Sequence, residues 1–217
     1  MSQGGRRILN VDRDKDEITI SGAGVTIGAG SFLTNQGSYN LEMTGMADIF
    51  NLDLVTLYEN KRSENSWLNP YVNTEAGEIT QTMLQNVITR CENTYRATID
   101  YINCGDNAFT HYMELLKKES RQVNTTKLAG GTTGLKFNEI DVVRNQFAPR
   151  DGMQFLDTTR FVIDQVCDWE WIEGPTRSIL TQIGRTPTYQ ATLVKYADLM
   201  CVTPGAMAQL TGMTAPV

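Results

Sequence analysis

Apolar side chains at Ile79, Met83, Leu84, Val87, Ile88 and Cys91 fall on one stripe at helical spacing. The pattern predicts a helix that starts near Glu78, with Thr74 as its cap and Glu78 in its first turn. A second stripe, Ala108, Phe109, Tyr112, Met113, Leu115 and Leu116, predicts another helix. Asp106 or Asn107 would cap it, and Lys117 and Lys118 suit its C-terminal end.

Elsewhere the period drops to two. Strands are predicted at 98–104, 135–137, 140–143 and 153–157, with Asn138 at a bend between the second and third. A long strand, Phe161–Trp171, follows and is broken at Gly174-Pro175. Residues 178–183 and 189–202 read as two more. Nearer the start, 17–21, 25–27 and 31–34 suggest a small β-element over 8–36. Residues 44–60 look helical in part, and 63–73 form a loop pinned by Trp67 and Tyr71. The stretch 121–134 is polar, with a turn at Gly130-Gly131. Helices in the middle and strands gathered at the end make an α+β chain, with a subdomain boundary near 157–160.

Composition narrows the function without choosing it. The 217 residues suffice for one or two domains, and 41% hydrophobic with 20% charged residues is ordinary for a globular protein. No apolar run approaches the roughly 20 residues of a membrane span. Met1–Arg7 are polar and basic with no apolar stretch behind them, so no secretory signal is visible and the expected compartment is cytosolic. A net charge of −6 repels phosphate backbones and argues against tight nucleic-acid binding.

Each recognisable chemical motif is incomplete. Cys91, Cys104, Cys167 and Cys201 form no close pair, and His111 is the only histidine, so a zinc site is not expected. Reduced, buried thiols are the expectation. Asp12-x-Asp14-x-Asp16 opens like a calcium loop, but Glu17 and Ala23 stand where the turn glycine and the bidentate glutamate belong. Gly22-x-Gly24-x-x-x-Gly28 lacks the helix that a dinucleotide loop must open. His111 is expected on a helix surface, without a nucleophile. No catalytic residue, metal ligand or cofactor site is expected.

Cys167-Asp-Trp-Glu-Trp-Ile-Glu173 stands apart. On a strand, Trp169 and Trp171 share one face, and Asp168 and Glu170 the other. Such a tryptophan pair lines a sheet core, the commoner use, or anchors a subunit contact. The acidic face would take water or basic partners such as Arg177, Arg185 or a neighbour's arginines.

Residues 150–213 resemble the C-terminal region of major capsid proteins of tailed phages and prophages. The resemblance lies in the order of Arg150-Asp-Gly-Met-Gln-Phe-Leu-Asp-Thr-Thr-Arg-Phe-Val-Ile-Asp164, Cys167 to Gly174, Gly184-Arg-Thr-Pro187, Tyr189 to Leu199 and Cys201 to Gly212. Trp67-Leu-Asn-Pro-Tyr-Val-Asn73, the helix at 78–91 and Tyr101-Ile-Asn-Cys104 extend it to about residue 40. It implies the Hong Kong 97-type fold. An axial domain, with a central sheet and flanking helices, would cover 74–158. An elongated β-sheet peripheral domain would take 159–217 with part of 1–73, including the small insertion at 8–36.

The family usually carries an N-terminal arm, an extended loop and a long spine helix. No long amphipathic helix precedes residue 40, so the chain reads as a truncated copy, and neither independent assembly nor crosslinking is implied. The implied function is an icosahedral shell subunit acting by self-assembly, not an enzyme. Its implied partners are copies of itself, with scaffold and portal proteins, around DNA bound without sequence specificity and away from any membrane. Trp169, Glu170, Trp171 and Arg185 are the expected subunit contacts. An encapsulin-like compartment is the alternative, and a small metal- or nucleotide-binding enzyme the second.

Overall fold

A computed structural model describes residues 7–12, 15, 17–22, 41–118, 126–127, 133–174, 177–184 and 187–216. The strands expected at 25–27 and 31–34, the Gly130-Gly131 turn and Arg185 lie outside them. The chain divides into two units, residues 1–42 and 43–217.

The first unit contains an antiparallel hairpin of β1 (Ile8–Asp12) and β2 (Glu17–Ile20). Its turn is closed by the Lys15 N–H on the Asp12 carboxylate at 3.2 Å. Ile8, Leu9, Val11 and Ile18 all stay exposed.

The second unit opens with α1 (Met46–Phe50) and a tight hairpin of β3 (Thr56–Leu57) and β4 (Asn60–Lys61). Next come β5 (Tyr71–Asn73), β6 (Gly77–Glu78) and α2 (Gln81–Tyr95). The expected helix is present but starts later than its apolar stripe suggests. Gly77–Glu78 are drawn into parallel pairing with a C-terminal strand, and the Ile79 N–H bonds to the Thr214 carbonyl. Thr80, not Thr74, therefore caps α2, accepting the Met83 N–H at 3.2 Å. Leu84, Val87, Ile88 and Cys91 form its buried face, as the spacing required.

β7 (Tyr101–Cys104) leads into α3 (Asp106–Lys118). Neither Asp106 nor Asn107 is the cap. The first helical bond runs from the Phe109 N–H to the Gly105 carbonyl, and Asp106 sits in the first turn beside Arg144. Gly105 is required here by crowding, because a Cβ would lie 1.9 Å from the Pro149 oxygen.

β8 (Thr126–Lys127), β9 (Thr133–Phe137) and β10 (Ile140–Arg144) follow. Asn138 and Glu139, both at positive φ (47° and 69°), form the two-residue turn between β9 and β10. β11 (Met153–Leu156) precedes the long β12 (Phe161–Trp171). After β13 (Thr181–Gln182) and β14 (Tyr189–Gln190), β15 (Leu193–Cys201) returns along β12. β16 (Ala208–Leu210) and β17 (Met213–Thr214) end the chain.

Seven strands form one mixed sheet in the order β5-β16-β11-β7-β10-β9-β8. On one face Ile102, Val142, Phe155 and Ala208 stand in adjacent register and pack against α2 and α3 in one buried cluster. The C-terminal strand β16 completes this sheet between β5 and β11. Among the described residues no helix is long and apolar enough to cross a membrane.

Phe155 is fully buried at the centre of the cluster. Phe155→Ala should destabilise the protein by about 3–5 kcal/mol, whereas Thr80→Ala should cost about 1 kcal/mol. Urea titrations followed by circular dichroism check both values and their order.

Candidate functional site

Among the described residues the long strand expected at Phe161–Trp171 pairs with β15 alone, giving a two-stranded ribbon. Pairing runs from Phe161↔Cys201 to Trp171↔Leu193, with irregularities between Gln165 and Cys167 and between Cys167 and Glu170. Such bulges insert unpaired residues, sharpen twist and re-aim side chains.

The ribbon exposes apolar side chains on both faces. Val162 and Ile163 are adjacent in sequence, so they point to opposite sides, and both are exposed, as are Val166 and Tyr196. Trp169 is 65% and Trp171 50% exposed, so neither lines a core within this chain. Trp171 stands opposite Leu193, and the Trp169 ring lies 5.9 Å from the Lys195 ammonium. The same ammonium is 3.1 Å from the Asp168 carboxylate. The Trp169 backbone N–H and Lys195 hold that carboxyl below its usual range. Asp168 is engaged by Lys195, and the register irregularity between Cys167 and Glu170 falls between it and Glu170, which stands opposite Val194.

Sequence reading missed Lys195, Ile163, Val166 and Tyr196. A usable signal was present: β12 carries apolar residues at both parities, which a strand solvated on one face does not require.

Part of the outer edge of β15 is occupied. The Tyr58 hydroxyl donates to the Leu199 carbonyl at 3.1 Å and accepts the Cys201 N–H at 2.9 Å, as a neighbouring strand would. Tyr58 and Glu59 both take positive φ (50° and 63°) in the turn between β3 and β4. Burial pushes the Tyr58 phenol above its ordinary value, so it stays protonated at neutral pH. Thr44 binds Asp198 through its N–H (2.6 Å) and its hydroxyl (3.0 Å).

The face of the seven-stranded sheet opposite α2 and α3 carries a row of side-chain amides. Asn103 donates to Gln154 at 2.7 Å, and Gln154 to Gln209 at 2.8 Å, across three adjacent strands. Gln154 is only 3% exposed. Alternation alone makes it look solvent-facing, and only the register shows that it lies between two other amides.

The catalytic candidates remain separate. His111 is more covered than a helix-surface histidine, with its side chain 24% exposed and Nδ1 3.8 Å from Glu114. Cys91, Cys104 and Cys201 are buried as expected, but Cys167 on the ribbon is only half-buried. Burial pushes the Cys91 and Cys201 thiols up to about 11 and Cys104 higher still. Among the described residues no three histidine, cysteine or acidic side chains gather into a metal-holding group.

No protein-family model matches the sequence. No curated protein matches it either. Solved structures do. The capsid asymmetric unit of cyanophage A-1(L) matches with a TM-score of 0.52 at 14% identity, over 78% of this chain and 56% of that one. The holo-SrpI encapsulin complex of Synechococcus elongatus PCC 7942 matches with a TM-score of 0.47 at 13% identity, over 74% of this chain and 59% of that one. The chain thus spans less than two thirds of either. Its architecture is the expected α+β Hong Kong 97-type capsid fold.

Two measurements check the local chemistry. Native protein should react with a thiol reagent at Cys167 first, and with the three buried cysteines only on unfolding. Gln154→Ala should cost about 1–3 kcal/mol, because it strands the amides of Asn103 and Gln209. Calorimetry of the variant gives the comparison.

Proposed function

We propose that this chain is a structural subunit of an icosahedral phage or prophage capsid shell and acts by association with copies of itself. The observation that supports this best is the β12–β15 ribbon, apolar and exposed on both faces. A two-stranded ribbon has no interior of its own, and extensive exposed apolar surface marks an association site. In a closed shell, symmetry repeats each contact, so modest surfaces sum to a stable assembly.

In this reading the axial domain is residues 74–158 joined by β16 and β17, and gathers around the five-fold and six-fold positions. The ribbon belongs to the peripheral domain, together with part of 1–73. Trp169, Glu170, Trp171 and Arg185 lie in subunit contacts. The acidic balance keeps subunits soluble before assembly and leaves the enclosed DNA without sequence-specific contacts. Scaffold and portal proteins are the further partners. Assembly takes place in the host cytoplasm, and the product is the virion shell.

Sedimentation and electron microscopy of the purified protein test the proposal. Capsomers, closed particles or smaller complexes of the chain with itself support it, and a protein that shows no self-association at any concentration overturns it. Particles filled with a specific enzyme would replace the phage reading with a protein compartment.

Glu170→Arg should weaken association about tenfold, or about 1.4 kcal/mol, with the unfolding midpoint of the monomer unchanged. Trp171→Ser should weaken it more, because a tryptophan anchor carries more of a contact than a rim charge. Unchanged assembly in both variants removes these residues from the contact.

A further inference from the structure

The two strands of the ribbon cross into the seven-stranded sheet at one place. Between β11 and β12 the chain makes a single 3-10 turn, Thr158–Arg160. Between β15 and β16 it makes another, Pro204–Ala206. Both turns are fastened to the C-terminal end of α2.

On the outgoing side Arg160 engages three acceptors. Its Nε donates to Asp157 at 2.8 Å, and its Nη2 donates to the carbonyls of Tyr95 (3.1 Å) and Arg96 (3.2 Å). These carbonyls lie where α2 ends, at Arg96 in the left-handed conformation, and a helix C-terminus favours a cation. Asp157 is 3% exposed and also accepts the Thr98 N–H at 3.1 Å and the Thr159 hydroxyl. Burial pushes its carboxyl up, but these donors and Arg160 outweigh burial and hold it below the usual carboxylate range.

On the returning side Gly205 lies against the Tyr95 ring, where a Cβ would come within 2.7 Å of Cζ. The two crossings are also tied to each other, by the Val202 N–H on the Arg160 carbonyl at 2.9 Å.

We propose that this cluster is a lock that fixes the direction of the ribbon relative to the sheet, with Arg160 as its positioning residue. A freely moving hinge concentrates its motion in a few residues with little to hold them. Here both crossings are held, and removing Arg160 would leave a buried carboxylate without its cation and two helix carbonyls without a donor. A lysine keeps the charge but not the planar fork that reaches a carboxylate and two carbonyls together. The lock deepens the shell reading and rests on it for its purpose, since ribbon direction would set the angle at which copies meet. Its existence does not depend on assembly.

Spin labels on Asn86→Cys in α2 and Gln165→Cys in β12 report that direction, in a Cys167→Ser background whose three remaining thiols are buried. Pulsed electron spin resonance on the unassembled protein should give a narrow distance distribution. Arg160→Met should roughly double its width, and Arg160→Lys should broaden it by about half as much, with helix content unchanged. If Arg160→Met fails to fold, the lysine variant decides. Parental width in the variants that fold overturns the lock. The two proposals fail separately. A protein that never assembles but broadens on substitution loses only the shell reading, and one that assembles with unchanged width loses only the lock.

Discussion

The structure depends on one antiparallel pairing that runs through two environments. β11 pairs with β16 inside the seven-stranded sheet, Phe155 opposite Ala208. Beyond a short break the same two stretches of chain pair again as β12 and β15, from Phe161 opposite Cys201 outward. The ribbon is thus the continuation of a strand pair from the middle of the sheet, and the core anchors what would otherwise be a free hairpin. A ribbon of this length is marginal in water by itself. Here its base is joined through two short turns to a sheet covered by α2 and α3, and Tyr58 and Thr44 bind part of its outer edge.

This arrangement separates the buried core from the exposed apolar surface. The buried cluster takes one face of the sheet with α2 and α3 and reaches only the base of the ribbon, at Cys201 and Phe161. Trp169, Trp171, Val166 and Tyr196 contribute little burial within the chain and remain available to a neighbour. Side chains left out of the core in this way stay exposed to solvent, and an exposed apolar patch of this kind is unusual for a surface with no partner. The Lys195 ammonium beside Asp168 and Trp169 adds a charged element next to the exposed apolar side chains of the ribbon.

Much of the architecture was legible in the residues because its causes are local. α2 and α3 follow from apolar spacing, and the bend at Asn138 from a residue type that tolerates positive φ. The β12 strand follows from its β-branched and aromatic residues, Phe161, Val162, Ile163, Val166, Trp169 and Trp171, and ends before Gly174-Pro175. Errors came where a distant partner intervened. The start of α2 moved because Gly77–Glu78 pair with Met213–Thr214, far along the chain. The α3 start fell at Gly105 because Pro149 and Arg150 crowd that point and the Gly152 carbonyl takes its N–H.

The amino-acid pattern by itself determined α2, α3, most of the strands and the α+β organisation, since each rests on neighbours within a few positions, but it read 63–73 as a loop where Tyr71–Asn73 is drawn into the sheet by β16. Only the tertiary structure decided which apolar residues are core. Phe155 and Val166 look alike in a strand, yet one is fully buried and the other 89% exposed. The difference arises because two helices cover the sheet while nothing among the described residues covers the ribbon. Burial depends on what lies across from a residue in space, and alternation along a strand records only which way it points.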